Sequence, residues 1–137
     1  MAAEIQPGLI GEATRTVEAG DLASAIGSGQ LDVFATPVML GLIELAAASA
    51  VDHLLPGGST TVGTHLDVRH LAPSPLGIEV RARAELVAVD GRKLMFTVEA
   101  FDAVERIGEG THERAIVSAA RLLTRANDKL PGHATSS

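Results

Sequence analysis

Thr36-Pro-Val-Met-Leu-Gly-Leu-Ile-Glu-Leu-Ala-Ala-Ala-Ser-Ala-Val51 is apolar on every side except at Glu44, the one charged side chain in the run. A stretch of this length with so little polarity reads as a helix wrapped by the rest of a domain. Thr36 suits the N-cap, Pro37 the first helical position, and Pro56-Gly57-Gly58 the stop, which places the helix over about residues 37–55, the one long helix of the chain. An ionised carboxylate in such a setting is costly unless it is paired, protonated or kept for chemistry. The partners of Glu44 are therefore the first thing to find.

On either side of the helix the pattern changes from a period of 3.6 to a period of 2. Leu9 to Glu18 reads as a first strand and Leu22 to Gln30 as a short helix or lid. After the helix, Thr60 to His70 puts Val62, Leu66, Val68 and His70 on one face. Ile78 to Val89 turns Ile78, Val80, Ala82, Ala84 and Leu86 inward, and Asp90-Gly91 signals a hairpin. Arg92 to Asp102 turns Leu94, Phe96, Val98 and Ala100 inward, and a final strand is expected from about Ile107 to Thr124. One buried helix, one strand before it and four in meander order after it predict an α+β fold, an antiparallel sheet around a central helix. A single curved sheet covers only part of such a helix, so a second copy of the chain is the natural cover, and a homodimer or higher oligomer is expected.

The 137 residues suit one domain, expected over residues 1–126, with a frayed tail over 127–137. A hydrophobic share of 46% with three Phe and no Trp or Tyr predicts a core of small aliphatics. A net charge of -6 without a Lys/Arg cluster argues against nucleic acid as a partner. The absence of cysteine excludes disulfides and thiolate metal sites. No metal motif, GxGxxG or Walker pattern is present, so no metal and no resident cofactor is expected. The N-terminal residues have neither a basic nor an apolar signal region, and no apolar run is expected to reach the length of a membrane span, which predicts a cytoplasmic protein without a membrane partner.

His70 shares its face with the residues that must pack on the helix carrying Glu44, so two titratable groups are expected to converge in one apolar layer. They are either a satisfied structural pair or a base and a proton-carrying imidazole. Thr36 is either a helix cap or part of a site where helix-start N–H groups stabilise an oxyanion. Thr36 and Glu44 are about 12 Å apart along a regular helix, so they meet only through a bend, a neighbouring subunit or opposite ends of a reacting group. Gly63 and Thr64 mark a bulge or a close approach of ligand to backbone. In Gly108-Glu-Gly-Thr-His-Glu-Arg114, His112 and Arg114 face one way and Glu113 the other, as a structural network would. Arg81, Arg83, Arg92 and Lys93 are either solvated strand charges or contacts for a nucleotide phosphate.

Val33-Phe-Ala-Thr-Pro-Val-Met-Leu-Gly-Leu-Ile-Glu44, Val62-Gly-Thr-His-Leu-Asp-Val-Arg-His70 and Gly108-Glu-Gly-Thr-His-Glu-Arg114 together resemble the hot-dog-fold thioesterases, specifically the fluoroacetyl-CoA thioesterase-like family, over about residues 9–126. The resemblance implies a hot-dog dimer that hydrolyses a small acyl-CoA thioester to acid and CoA, the CoA entering as part of the substrate. It implies catalytic roles for Thr36, Glu44 and His70, with Gly63, Thr64 and Phe34 as substrate contacts. The fluoroacetyl-specialised form carries phenylalanines in the lid, whereas Ala25-Ile-Gly-Ser-Gly-Gln-Leu31 has none, which leaves a small acyl or aryl group unassigned. Two alternatives keep the fold: a non-catalytic acyl-CoA binding or sensing module, and an enoyl-CoA hydratase.

Overall fold

The computed structural model describes residues 4–132. Strand β1 (Ile10–Thr16) is followed by a 3-10 turn (Ala19–Asp21), a one-turn helix α1 (Ala23–Ile26) and the central helix α2 (Thr36–Val51). Strands β2 (Ser59–His70), β3 (Glu79–Asp90), β4 (Lys93–Asp102) and β5 (Arg106–Ser118) come next, and a helix α3 (Ala119–Asn127) is the last element among the described residues. The five strands form one antiparallel sheet in the order β1-β3-β4-β5-β2, curled around α2.

Alternation explains the layers. Val80, Ala82, Ala84 and Leu86 of β3 and Leu94, Phe96, Val98 and Ala100 of β4 are all 2% exposed or less, against Met39, Ile43, Ala46, Ala47, Ala50 and Val51 of α2. Their small side chains let the helix sit close to the sheet, and packing at near-crystal density makes each contact count. Gly91 and Arg92 form the two-residue loop between β3 and β4, with positive φ at Gly91 alone, as a type II′ hairpin requires.

Four expectations are corrected. The strands after α2 are not a simple meander: β2 pairs with β5 at the sheet edge, and the link to β3 crosses the strand ends. Leu71 N–H donates to Ile107 O there, Ser74 O accepts from Phe34 N–H, and the Ser74 hydroxyl donates to Asp102. The last strand stops at Ser118, whose hydroxyl caps α3 by accepting from Arg121 N–H, so residues 119–124 are helical and α2 has company.

The third correction concerns the faces of β2. A bulge between Gly63 and His65 inserts Thr64, so Thr61 and Gly63 face the helix before it and Leu66, Val68 and His70 after it. Val62, expected inward, pairs with Ala115 on the other face. Last, α2 and the 3-10 turn after it (Asp52–Leu54) form 19 residues of mean hydropathy 1.3, long and apolar enough by composition to cross a membrane. In this fold they are the axis of the sheet. Asp128, Lys129 and Leu130 N–H groups remain hydrogen-bonded beyond α3, and residues 133–137 of the expected tail lie outside the described residues.

The sheet leaves one side of α2 open. Pro37, Gly41 and Leu45 are exposed, Leu45 by 59%, and Leu40, Glu44 and Ala48 are partly so. The spacing of these positions is that of one helical face.

Candidate active site

Thr36 and His70 form one half of the site. Thr36 is the first residue of α2 and not its cap, a position Ala35 takes. Its hydroxyl is therefore free to meet the ring of His70, at 2.7 Å from Nδ1. The helix start offers less to an oxyanion than expected, because Pro37 has no N–H and the Val38 and Met39 N–H groups already donate to Ala35 O. The pair borders a cavity of about 340 Å³ walled by Ala23, Val33 and Phe34 from the lid side and by Leu71, Ala72 and Pro73 beyond β2. The lid is anchored beneath by Asp21, which accepts from Arg15 Nε and Nη2 and from Glu18 N–H.

His70 Nε2 is buried with no hydrogen-bond partner in the protein. Burial pushes the imidazole pKa below its ordinary value, opposed in part by the Ala72 backbone, so the ring is neutral near pH 7. With Nε2 enclosed, the ring exchanges protons with the cavity through Nδ1, hence through Thr36. A hydroxyl hydrogen-bonded to a neutral imidazole is the arrangement that moves a proton from one reacting atom to another.

Glu44 forms the other half, one that its helix places eight residues further on. Its side chain is 40% exposed, and Arg114 Nη1 lies 3.4 Å from Oε2. The expected convergence of Glu44 with His70 does not occur within the chain: Thr36 meets His70, and Arg114 and Gly63 meet Glu44. A Cβ added to Gly63 would overlap Glu44 Oε2 and lie 3.2 Å from His112 Cε1. Since φ at Gly63 is not positive, the glycine serves close approach and not backbone freedom.

Arg114 is the residue that reading by sequence left as mere structure. It is 6% exposed, donates from Nε and Nη2 to Thr61 Oγ1 and O, and turns Nη1 toward Glu44 and His112 Nε2. Thr61 is held in turn by Asp52 at 2.6 Å. His112 Nδ1 meets His65 O at 2.8 Å, which fixes the proton on Nδ1 and leaves Nε2 to accept from Arg114. Burial lowers the His112 pKa, with Arg114 adding to the effect and the His65 carbonyl opposing it, so this ring too is neutral. The inward parity of Arg114 on an apolar strand face was the signal available beforehand.

The remaining expected contacts divide. Phe34 is 1% exposed and walls the Thr36–His70 cavity. Thr64 is the bulged residue, and its hydroxyl donates to Glu113 O at 3.2 Å, away from both halves. Among the described residues no group of His, Asp and Glu is arranged to hold a metal ion.

Residues 17–120 match the family model described as fluoroacetyl-CoA-specific thioesterase. The chain is 41% identical over 100 residues to the fluoroacetyl-CoA thioesterase of Streptantibioticus cattleyicolor, covering 73% of this chain and 72% of that protein. A solved structure of the fluoroacetyl-CoA thioesterase FlK superposes with a TM-score of 0.88 at 32% identity, over 94% of this chain and all of that one. A hot-dog-like protein of Thermanaerovibrio acidaminovorans does so with a TM-score of 0.82 at 25% identity, over 94% and 96%. The architecture is thus the hot-dog fold, and the chain belongs to the fluoroacetyl-CoA-specific thioesterase family.

Proposed function

We propose that the protein hydrolyses a small acyl-CoA thioester to the free acid and CoA, in a site assembled from two copies of the chain. The observation that carries this reading is the division of the site: a proton-carrying Thr36–His70 pair beside a cavity, and a carboxylate backed by Arg114 eight residues along the same helix. Residue 40 is the midpoint between Thr36 and Glu44. Two α2 helices packed antiparallel about Leu40 and Gly41 set Glu44 of one copy against Thr36 of the other. The open face of α2 supports this packing, and so does Gly41. Among the described residues no atom outside its own helix lies within 4 Å of where its Cβ would be, so none of them calls for glycine there. A helix-interior glycine costs about 1 kcal/mol relative to alanine, a cost that close approach of a second helix offsets.

In the assembled site, water bound by Glu44 gives a proton to Thr36 Oγ1 as the Thr36 hydroxyl proton moves to His70 Nδ1. The water oxygen forms its bond to the thioester carbonyl carbon. Positive charge from the Arg114 guanidinium, beside Glu44, offsets the negative charge that grows on the carbonyl oxygen. When the C–S bond breaks, the proton returns from Nδ1 through Thr36 to the thiolate. Imidazole suits this two-way transfer because it titrates nearest to neutral pH. The cavity leaves room for an acyl group larger than two carbons. Free-thiol release from acetyl-, fluoroacetyl-, branched and aryl-CoA esters tests the reading. Turnover that His70→Ala and Glu44→Gln each abolish or nearly abolish supports it. Tight CoA-ester binding with no thiol release selects a sensing module instead.

A further inference from the structure

A guanidinium grips a carboxylate best with two N–H groups along one edge, and in Arg114 the edge formed by Nε and Nη2 is already taken. Nε donates to Thr61 Oγ1 at 2.8 Å and Nη2 to Thr61 O at 2.9 Å. Nη1 is left to serve both His112 Nε2 at 3.2 Å and Glu44 Oε2 at 3.4 Å. Charge-assisted bonds of this kind close to about 2.7–2.9 Å when nothing holds the partners apart. Glu44 ends a flexible side chain that is 40% exposed and has room to come closer, so the long contact is set by how Arg114 is held.

The holding extends to Asp52. Arg114 carries only donors and Thr61 a single hydroxyl proton, so Thr61 Oγ1 receives the Nε–H of Arg114 only while its own proton points at another acceptor. That acceptor is Asp52 Oδ1, at 2.6 Å, and Asp52 Oδ2 accepts from Thr60 Oγ1 at 3.4 Å. Asp52 is the C-cap of α2, eight residues beyond Glu44. One guanidinium therefore stands between two carboxylates of the same helix, facing Glu44 directly and Asp52 through Thr61. Thr61 and Arg114 are 5% and 6% exposed, and bonds so enclosed are strengthened by the low local dielectric. We propose that Asp52 and Thr61 are positioning residues for Glu44: they hold the Arg114 guanidinium back, near enough to balance the charge of Glu44 and too far to grip it. This rests on the hydrolase reading, in which Glu44 binds the attacking water, and adds to it what keeps the carboxylate free to do so. Without Asp52 the Thr61 proton loses its direction, the Nε bond weakens, and Arg114 closes on Glu44 with two short bonds that use the lone pairs water needs.

The test sets Asp52→Ala and Thr61→Val, which remove the acceptor and the hydroxyl, beside Asp52→Asn and Thr61→Ser, which keep them, all in the full chain. A shift of Glu44 by roughly half an ångström should lower kcat about tenfold in Asp52→Ala and Thr61→Val with KM held, while Asp52→Asn and Thr61→Ser stay within about twofold of wild type. A merely structural role would lower the folded fraction, which Tm reads, and leave kcat per folded molecule as it was. Unchanged kcat in Asp52→Ala or Thr61→Val, a loss carried by KM, or a loss in Asp52→Asn equal to that in Asp52→Ala overturns the proposal. If the wild type releases no thiol from any ester, the hydrolase reading fails separately, and a crystal structure of Asp52→Ala still decides what holds Arg114. Two Arg114–Glu44 bonds of about 2.9 Å or less sustain the proposal, and a guanidinium that stays in place overturns it.

Discussion

Gly63→Ala places one methyl group between the two polar systems that meet at Glu44. The new Cβ overlaps Glu44 Oε2 and lies 3.2 Å from His112 Cε1. The ring cannot yield, since His65 O holds one nitrogen and Arg114 the other. The carboxylate can, because it ends a flexible side chain that is 40% exposed. The fold therefore loses little: the low end of overpacking costs is about 1 kcal/mol, and for a domain of this size that lowers Tm by about 4 °C. The site loses more. Glu44 must leave its place by Arg114, and displacement of a positioning group by an ångström costs about a hundredfold in rate. Thermal unfolding and thiol release on the same preparation separate the two effects. A kcat/KM within twofold of wild type would refute the argument that Gly63 makes room for the carboxylate.

Thr36→Val should be as inactive as His70→Ala, because the enclosed Nε2 leaves Thr36 as the ring's proton path, whereas Thr36→Ser should keep most of the rate; steady-state thiol release reads both. The pH profile of kcat/KM should hold its plateau to below pH 6.5 and fall only as His70 protonates, since burial holds its pKa below that ordinary value; an acid limb centred above 6.5 would contradict this. Stability follows the same sign. His70 and His112 bind protons more readily unfolded than folded, so stability is full above about pH 6.5 and declines as pH drops below it; denaturant titrations should show a shallower acid decline in His112→Gln. Arg114→Met should cost about 2–3 kcal/mol, mainly from the lost bonds to Thr61, as a shift in the urea midpoint.

Much of the fold was legible because small aliphatics repeat with clean periods in α2, β3 and β4. What was missed has local and non-local causes. Gly63 and Thr64 did mark the bulge, but the faces of β2 were assigned as if no residue were inserted, and the extra residue, Thr64, reverses them. Helix α3 had a signal in Ser118 followed by Ala119, Leu122, Leu123 and Ala126 at helical spacing, but Ile116 and Val117 continued the strand pattern into it. The place of β2 beside β5 is a long-range pairing that no window of sequence contains. In the candidate site, Thr36, Glu44 and His70 were singled out by residue type and position, yet their partners were not. A helix of regular rise keeps Thr36 from Glu44, and the sequence alone does not say that Arg114 answers Glu44 while Thr36 answers His70.

The most direct test of the two-copy site is co-expression of Glu44→Gln and His70→Ala chains, each inactive or nearly so by itself. The first keeps Thr36 and His70, and the second keeps Glu44. Random pairing makes half the dimers mixed, each with one intact site of two, so about a quarter of wild-type thiol release should return. Recovery of no activity, with mixed dimers present by mass spectrometry, would contradict a site shared between copies.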